Sequence, residues 1–186
     1  LVQMRAIAEQ SRLDRVARCD ALTGLPNRRE FDSVLDREWN RARRSGSTLA
    51  VLVIDIDHFN LLNDGLGHLA GDDRLRAVAR ELADCATRSV DLVARYGGEE
   101  FVAILPEASE ETAVALAEKM RKAIENRGMP TPAPLGVVTV CIGLICTKVD
   151  GNRTAADLVA AADAALYEAK RSGRNRVEVA RLVPQS

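Results

Sequence analysis

The apolar positions in the first part of the chain predict a helix followed by a buried strand. Apolar residues recur every four positions at Phe31, Leu35 and Trp39, and Gly46 is of a type that commonly ends helices. The run Leu49 to Ile56 is rich in β-branched residues and apolar at successive positions. A strand of this kind buries both faces, so it is expected at the centre of a sheet.

A second helix and a β-hairpin are expected next. The helix should cover about 72–87, where one face carries an apolar stripe. That stripe contains Leu75, Val78, Ala79 and Leu82. Two short apolar segments follow at 91–96 and 100–105, and the pair Gly97-Gly98 between them suits the tight turn of a hairpin. The segment 59–72, which is rich in Gly and Asn, is expected to be a loop.

The remaining pattern completes an α+β fold. Ser109 is expected to cap a third helix, and a strand follows over 136–146. Thr154 and Asp157 form a capping-box-like start for a fourth helix, with a short last strand over 176–179. The order strand, helix, strand, strand, helix, strand matches the ferredoxin-like split βαβ plan. We therefore predict a palm-type, mostly antiparallel sheet of about five strands surrounded by helices.

Residues 1–20 are predicted to form a helix that precedes this fold. Apolar or long side chains recur there at alternating four- and three-residue spacing, at Val2, Ala6, Glu9, Leu13 and Val16. A weak coiled-coil seam explains this short pattern, and a single amphipathic helix lying on its own domain explains it equally well.

Length and charge limit the class of protein. With 186 residues, 47% of them hydrophobic, the chain is long enough for one packed domain with a short appendage. Its 26 basic and 27 acidic residues nearly cancel, so no overall field attracts nucleic acid or an anionic membrane. The longest apolar run, Leu49 to Ile54, is too short to cross a bilayer. Because the chain does not begin with Met, we expect it to be a piece of a longer protein.

The cysteines favour a reducing compartment. They lack the spacing of metal ligands and are scattered along the chain as Cys19, Cys85, Cys141 and Cys146. Three of them lie in apolar or helical stretches that are typical of reduced, buried thiols. The sequence therefore predicts a cytoplasmic protein, or a cytoplasmic part of one whose other segments are anchored in a membrane.

Four acidic residues are candidates for metal chemistry. Asp55 and Asp57 come at the end of the central strand, and Glu99 and Glu100 follow the hairpin turn. Carboxylates converging from adjacent strands suit a hard cation such as Mg²⁺, whose ligands are oxygens shared with substrate phosphates. Any one of these residues taken alone could equally be a solvated acid at a strand end.

Candidate phosphate ligands lie elsewhere in the chain. Backbone amides in the segment 59–72 and the start of the following helix could hold phosphates. Lys170 and Arg174 lie in the run KRSGRNR after the last long helix. Cations at the end of a helix are also favoured by the helix dipole, so their position alone does not prove phosphate binding.

Four segments in order resemble the GGDEF family of diguanylate cyclases. They read DALTGLPNRREF at 20–31, DIDHFNLLNDGLGHLAGD at 55–72, RYGGEEF at 95–101 and ADAALYEAKRSGRNRV at 162–177. The resemblance implies an enzyme that condenses two GTP molecules into cyclic di-GMP with release of two pyrophosphates, acting as a homodimer. It also implies that 1–20 links a missing upstream sensory domain to a catalytic domain over 21–186.

The resemblance assigns metal and catalytic roles. Asp55, Glu99 and the backbone carbonyl of Ile56 would hold Mg²⁺, with Mn²⁺ as a possible substitute and two ions per active dimer site. Glu99 and Glu100 are the catalytic candidates. Which of them takes the proton from the attacking 3′-hydroxyl stays open, since metal coordination itself lowers the pKa of a hydroxyl.

The resemblance also assigns nucleotide contacts. Asn63 and Asp72 would read guanine, and a carboxylate at Asp72 can accept hydrogen bonds from N1 and N2 of guanine, which adenine cannot donate. This favours GTP over ATP. His68 would lie near the substrate, although a histidine that only fastens the start of a helix explains the position nearly as well. The full set of substrate-binding candidates is Phe59, Asn63, His68, Asp72, Gly97, Gly98, Lys170 and Arg174.

Two positions bear on activity and its control. The family commonly has Lys where this chain has Asn60, and loss of that cation could lower the rate on the order of a hundredfold. Arg88 and Asp91 resemble the family's RxxD inhibitory site for product, although the same pair could be an ordinary surface ion pair. The alternative functions are a catalytically weak sensor of GTP or cyclic di-GMP, a cyclase or mixed-dinucleotide synthase with another product, and a scaffold.

Overall fold

The computed structural model describes residues 17–132 and 136–181. The helix predicted over 1–20 lies almost entirely outside the described residues. The helices and strands follow in the order α1 (Arg28–Ser45), β1 (Thr48–Ile56), α2 (Phe59–Leu66), α3 (His68–Cys85), β2 (Leu92–Gly97), β3 (Glu100–Pro106), α4 (Glu110–Asn126), β4 (Val140–Lys148), α5 (Ala155–Arg171) and β5 (Val177–Val179).

The five strands form one sheet in the order β2-β3-β1-β4-β5. Strand β1 pairs antiparallel with β3 and β4, β2 pairs antiparallel with β3, and β5 pairs parallel with β4. This is the mostly antiparallel α+β sheet that the sequence predicts, and the split βαβ order is confirmed. The central place predicted for β1 is also confirmed.

Helices cover both faces of the sheet. Alternate residues of β1 serve the two faces: Leu52 and Ile54 pack with α2, α3 and α4, whereas Val51 and Val53 pack with α1 and α5. Because side chains alternate along a strand, an uninterrupted apolar run is needed to fill both layers. Helix α5 comes especially close to β4, since a Cβ at Gly143 would lie 2.0 Å from the Ala162 carbonyl oxygen.

Side-chain caps set where three helices begin. Asn27 accepts a hydrogen bond from the Glu30 N–H and starts α1. Ser109 caps α4 in the same way, and Thr154 forms a reciprocal capping box with Asp157 at the start of α5. The last two caps were predicted from the sequence and are confirmed.

The prediction of a loop over 59–72 is wrong, because this segment forms α2 and the first turn of α3. Phe59 and Leu62 are buried against the core, which stabilises this short helix despite Gly65. Gly71 lies where the two helices cross, and a Cβ there would come within 1.9 Å of Asn63 Oδ1. Gly71 and Asn63 therefore serve close packing of α3 on α2. Helix α3 consequently starts at His68, earlier than predicted.

Two further features bear on the protein's class. All four cysteines are free, as expected for reduced thiols. In the part of the chain that the structure describes, no helix has the length and apolar character needed to span a membrane.

Candidate metal and nucleotide site

Asp55 lies near the end of the central strand, between two neighbouring strands. It pairs with Glu100 of β3 on one side and with Cys141 of β4 on the other. Only 7% of Asp55 is exposed. The sheet therefore fixes the position of the carboxylate and removes most of its hydration.

Burial and neighbouring charges set the pKa of Asp55. Burial raises this pKa to about 6, Lys170 opposes the rise, and the nearby Glu99 and Glu100 add to it. The ammonium nitrogen Lys170 Nζ lies 3.2 Å from Asp55 Oδ2. A desolvated carboxylate with further carboxylates beside it fits a hard cation that takes oxygen ligands.

A cavity of about 300 Å³ beside Asp55 brings together most of the residues predicted to hold metal and phosphate. Its lining includes Asp55, Ile56, Phe59, Glu99, Lys170 and Arg174. Asn60 also lines it, at the position where the resemblance leads one to expect a lysine. The cavity thus combines carboxylates with two cations, as binding of a metal-bound polyphosphate requires.

The predicted metal ligands are few. Across 17–132 and 136–181, no three or more side chains of His, Cys, Asp or Glu are grouped so that they could hold a metal ion. The predicted set needs only the carboxylates of Asp55 and Glu99 and the carbonyl of Ile56. Since Mg²⁺ commonly takes one or two carboxylates and completes its shell with water and substrate phosphates, the residues present fit such an ion.

The two consecutive glutamates of the hairpin line different cavities. Glu99 lines the 300 Å³ cavity together with Asp55, and the Glu99 carbonyl accepts a hydrogen bond from the Ile56 N–H at 3.4 Å. Glu100 lines a larger cavity of about 660 Å³, whose walls come mainly from α1 and α5. The fold therefore gives the two catalytic candidates different surroundings, which their adjacent positions in the sequence do not reveal.

Arg95 ties the hairpin turn to the first described residues. Its guanidinium donates to the Gly98 carbonyl at 2.7 and 3.0 Å and to the Asp20 carboxylate at 3.1 and 3.2 Å. Asp20 also accepts hydrogen bonds from the N–H and hydroxyl of Thr23. Gly97 and Gly98 are themselves exposed. The sequence offers no sign of this pairing, because Arg95 and Asp20 are 75 positions apart.

Three hydrogen-bond donors of the protein bind the carboxylate of Asp57, the residue that follows β1. Its Oδ2 accepts from Thr139 Oγ1 at 2.7 Å and from the Asn175 N–H at 3.0 Å. Its Oδ1 accepts from Cys141 Sγ at 3.0 Å. The Asp57 carboxylate joins the end of β1 to β4 and to the loop after α5. We therefore assign Asp57 a structural role, whereas Asp55 is the candidate metal ligand.

Asn63 and Asp72, which were predicted to read the base, and His68, which was predicted near the substrate, lie on α2 and α3, outside the 300 Å³ cavity. Asn63 packs against Gly71, and its Oδ1 is buried without a hydrogen-bond partner among the described residues. His68 is exposed and Asp72 is half-buried. A buried acceptor without a donor fits a ligand that supplies one.

Arg88 and Asp91 lie at the other end of β3 from the hairpin turn. Arg88 Nη2 donates to the carbonyl of Pro106, the last residue of β3, at 2.8 Å. Arg88 Nη1 lies 3.5 Å from Asp91 Oδ1, which accepts no hydrogen bond within the described part of the chain. Burial raises the pKa of Asp91, although Arg88 opposes the shift. Arg88 and Asp91 therefore form an ion pair in which the acceptor Asp91 Oδ1 has no hydrogen bond from the described residues.

Comparison with known proteins identifies a consistent set of relatives. The family model for "Diguanylate cyclase, GGDEF domain" matches residues 17–176. The chain is 44% identical to diguanylate cyclase DgcP of Pseudomonas aeruginosa over 87% of its own length and 24% of that protein. It is 38% identical to diguanylate cyclase A of Treponema denticola over 97% of its length and 49% of that protein. The chain thus spans half or less of either relative.

Solved structures agree with the fold. The coiled coil and GGDEF domain of DgcB from Caulobacter crescentus, in complex with c-di-GMP, superpose with a TM-score of 0.85 at 37% identity, covering 96% of this chain and 92% of that one. The active GGEEF domain of a diguanylate cyclase from Vibrio cholerae gives a TM-score of 0.77 at 34% identity, covering 86% and 99%.

Proposed function

Because the chain belongs to the GGDEF family, we propose that it is the catalytic domain of a diguanylate cyclase, which condenses two GTP molecules into cyclic di-GMP. The observation that carries this proposal is the cavity in which Asp55 and Glu99 lie with Lys170 and Arg174. A metal-bound nucleoside triphosphate needs carboxylates for the cation and cations for the phosphates. We further propose that 1–20 connects this domain to an upstream sensory domain and that the domain works in the cytoplasm.

In this proposal, Asp55, Glu99 and the Ile56 carbonyl hold Mg²⁺ or Mn²⁺, with two ions per active dimer site. A divalent cation held by these residues would neutralise phosphate charge and would lower the pKa of the attacking hydroxyl. Lys170 and Arg174 hold the triphosphate, and Arg174 is free to do so because it is exposed at the cavity edge. Phe59, His68 and the turn glycines Gly97 and Gly98 complete the contacts to the nucleotide.

The reaction joins two nucleotides held by two subunits. The 3′-oxygen of one GTP attacks the α-phosphorus of the other, the bond from that phosphorus to the bridging oxygen of the β-phosphate breaks, and pyrophosphate leaves. The hydroxyl proton passes to Glu99 or Glu100. A second attack of the same kind closes the ring and releases the second pyrophosphate. The protein contributes mainly positioning and charge neutralisation.

The guanine end of the site involves α2 and α3. We propose that Asp72 accepts from N1 and N2 of guanine and that Asn63 offers its side-chain amide to the same base. The buried, unpartnered Oδ1 of Asn63 supports this assignment. A base without these donors leaves the acceptors unsatisfied, so GTP is preferred to ATP.

The dimeric mechanism predicts that turnover rises more steeply than protein concentration. Purified protein is incubated with Mg²⁺ and GTP at several protein concentrations, and cyclic di-GMP and pyrophosphate are followed by chromatography. We expect close to second-order dependence while monomer predominates, and no product from ATP alone. First-order dependence while monomer predominates would contradict dimeric catalysis, and a dominant mixed product in a GTP and ATP mixture would contradict the role of Asp72.

A second candidate function is a GTP or cyclic di-GMP sensor with little activity. The observation that favours it is Asn60 in the phosphate cavity, where a lysine would add a third cation. In the same incubation, a sensor would bind GTP without converting it at any protein concentration. That outcome would replace the cyclase proposal.

We propose that Arg88 and Asp91 form an inhibitory site for the product. Arg88→Ala is expected to raise the cyclic di-GMP concentration for half-inhibition at least about fivefold, because one Arg–guanine contact contributes about 1–3 kcal/mol. Initial rates with added cyclic di-GMP measure this, and Arg80→Ala, at an exposed arginine of α3, is the matched control. Unchanged inhibition in Arg88→Ala would remove this pair from the proposal.

A further inference from the structure

Asn175 lies in the loop that carries Arg174 and joins three parts of the fold. Its backbone N–H donates to Asp57 Oδ2 at 3.0 Å. Its side-chain amide donates to Glu125 Oε1 at 2.8 Å, and its Oδ1 accepts from Arg121 Nη1 at 2.8 Å. The side chain is thus satisfied as both donor and acceptor by helix α4, while the backbone is held by the end of the central strand.

The backbone of this loop adopts a conformation that needs support. Arg174 and Asn175 have φ values of 62° and 45°, so two consecutive residues other than glycine lie in the left-handed region. Such residues persist where surrounding contacts over-determine them. Asn is among the residues that tolerate this region best, and the Arg174 N–H bonds to the Ala169 carbonyl at 3.1 Å.

Helix α4 supplies the two side chains that bind the Asn175 side chain, Arg121 and Glu125. Arg121 is largely buried, and its guanidinium bonds to Glu118 at 3.0 Å and to Glu125 at 2.8 Å. The hydrogen bond from Asn175 and then that from Arg121 lower the pKa of Glu125. Charge-assisted bonds of this kind hold side chains in one geometry. None of these α4 residues lines the 300 Å³ cavity.

The same loop sets where the phosphate cations lie relative to the metal ligands. Arg174 directly precedes Asn175, and Lys170 lies at the end of α5 before the loop. Asp57, which accepts the Asn175 N–H, comes two residues after Asp55 and directly after Ile56. A shift of Asn175 therefore changes the position of Arg174 relative to Asp55 and the cavity. It removes no group that would touch the nucleotide.

We propose that Asn175 is a positioning residue for polyphosphate binding, and that Arg121 supports it from α4. The inference rests on the proposed function, in which Arg174 contacts the triphosphate. Helix α4 thereby contributes to recognition of the β- and γ-phosphates of the nucleotide, although Arg121 lies outside the cavity. It implies that losing these contacts weakens binding of GTP and leaves binding of GMP, which lacks those phosphates, unchanged.

The test compares GTP and GMP affinities, with Mg²⁺, in four variants of the full chain. Asn175→Gly permits the left-handed conformation and removes only the side-chain bonds, whereas Asn175→Ala also strains the backbone. Arg121→Met removes one of the two partners of Asn175 on α4, together with the cation that holds the other partner, Glu125. Arg127→Met is the matched control, because Arg127 pairs with Glu81 of α3 at the end of α4.

We expect GTP affinity to fall about tenfold in Asn175→Gly and Arg121→Met, and further in Asn175→Ala. Loss of one charge-assisted contact between Arg174 and a phosphate lowers affinity by roughly this factor. GMP affinity should stay within about twofold in all four variants, and Arg127→Met should match the wild type for both nucleotides. Equal losses for GTP and GMP, or no loss for GTP, would overturn the positioning role.

The GTP and GMP affinities of the wild type show whether a negative result concerns the positioning role of Asn175 or the proposed function itself. If the wild type does not bind GTP more tightly than GMP, the phosphate cavity itself is wrongly assigned, and the positioning role falls with it. If the wild type prefers GTP and Asn175→Gly keeps that preference, only the positioning role is wrong. Should Asn175→Gly fail to fold, Arg121→Met decides by the same comparison.

Discussion

Asp55→Asn is expected to abolish cyclic di-GMP formation while leaving the domain at least as stable as the wild type at pH 7. The substitution keeps the size of the side chain and removes the charge that would hold a divalent cation against the phosphates. Loss of this electrostatic contribution should lower turnover on the order of a thousandfold or more. Activity and stability thus move in opposite directions, which a general loss of folding cannot produce.

The stability change follows from the pKa of Asp55. Burial raises this pKa in the folded protein to about 6 from 3.8, so the ionised carboxylate disfavours folding. Below about pH 4 the side chain is protonated in both states and the penalty is absent; it develops between pH 4 and 6 and is complete above that range. Allowing for solvent screening, we expect this penalty to lower the free energy of unfolding of the wild type by about 1–2 kcal/mol at pH 7.

Thermal unfolding of metal-free protein between pH 4 and 8 measures this effect. The melting temperature of Asp55→Asn relative to the wild type should rise as the pH increases through 4 to 6, and Mg²⁺ should stabilise only the wild type. Asp84→Asn, at an exposed position of α3, is the control and should show neither effect. A variant that keeps substantial turnover would exclude Asp55 as the metal ligand.

Arg95→Ala is the second substitution with a large expected effect, on both stability and turnover. It removes the donor to the Gly98 carbonyl and leaves the carboxylate of Asp20 without its cation. Because Arg95 is only 14% exposed, the lost charge-assisted bonds should lower the free energy of unfolding by about 2–3 kcal/mol. The freed turn carries Glu99, and a small displacement there should lower turnover roughly tenfold to a hundredfold.

Urea unfolding and turnover at saturating GTP test this prediction together. Arg43→Ala, at an exposed arginine of α1, should change neither. Arg95→Lys keeps the charge without the forked geometry, so we expect it to restore part of the stability and little of the turnover. If Arg95→Ala lost stability but kept full turnover, the turn would not depend on Arg95 to place Glu99.

Local patterns in the sequence were enough to predict most of the fold. The apolar run of β1, the spacing of Phe31, Leu35 and Trp39, and the caps at Ser109 and Thr154 each specify structure through neighbours in the chain. The segment 59–72 was mispredicted for the same reason. Its glycines indicate a loop locally, whereas Gly71 is required by the packing of α3 on α2, which only the tertiary structure reveals.

The sequence by itself determined the kinds of residue available to the site: Asp55 at the end of a central strand, the glutamates after Gly97-Gly98, and the cations after α5. The tertiary structure decided which of them meet. It placed Lys170 3.2 Å from Asp55 and directed Glu99 and Glu100 to different cavities.

It also decided which residues hold the site in place. Asp20 pairs with Arg95 across 75 positions, and Asp57 accepts from Asn175 across 118. A hydrogen bond depends on the distance between two atoms in space, whereas periodicity and capping depend on distance along the chain. Residues far apart in sequence carry no local mark of their partner, so only the packed sheet and helices reveal these contacts.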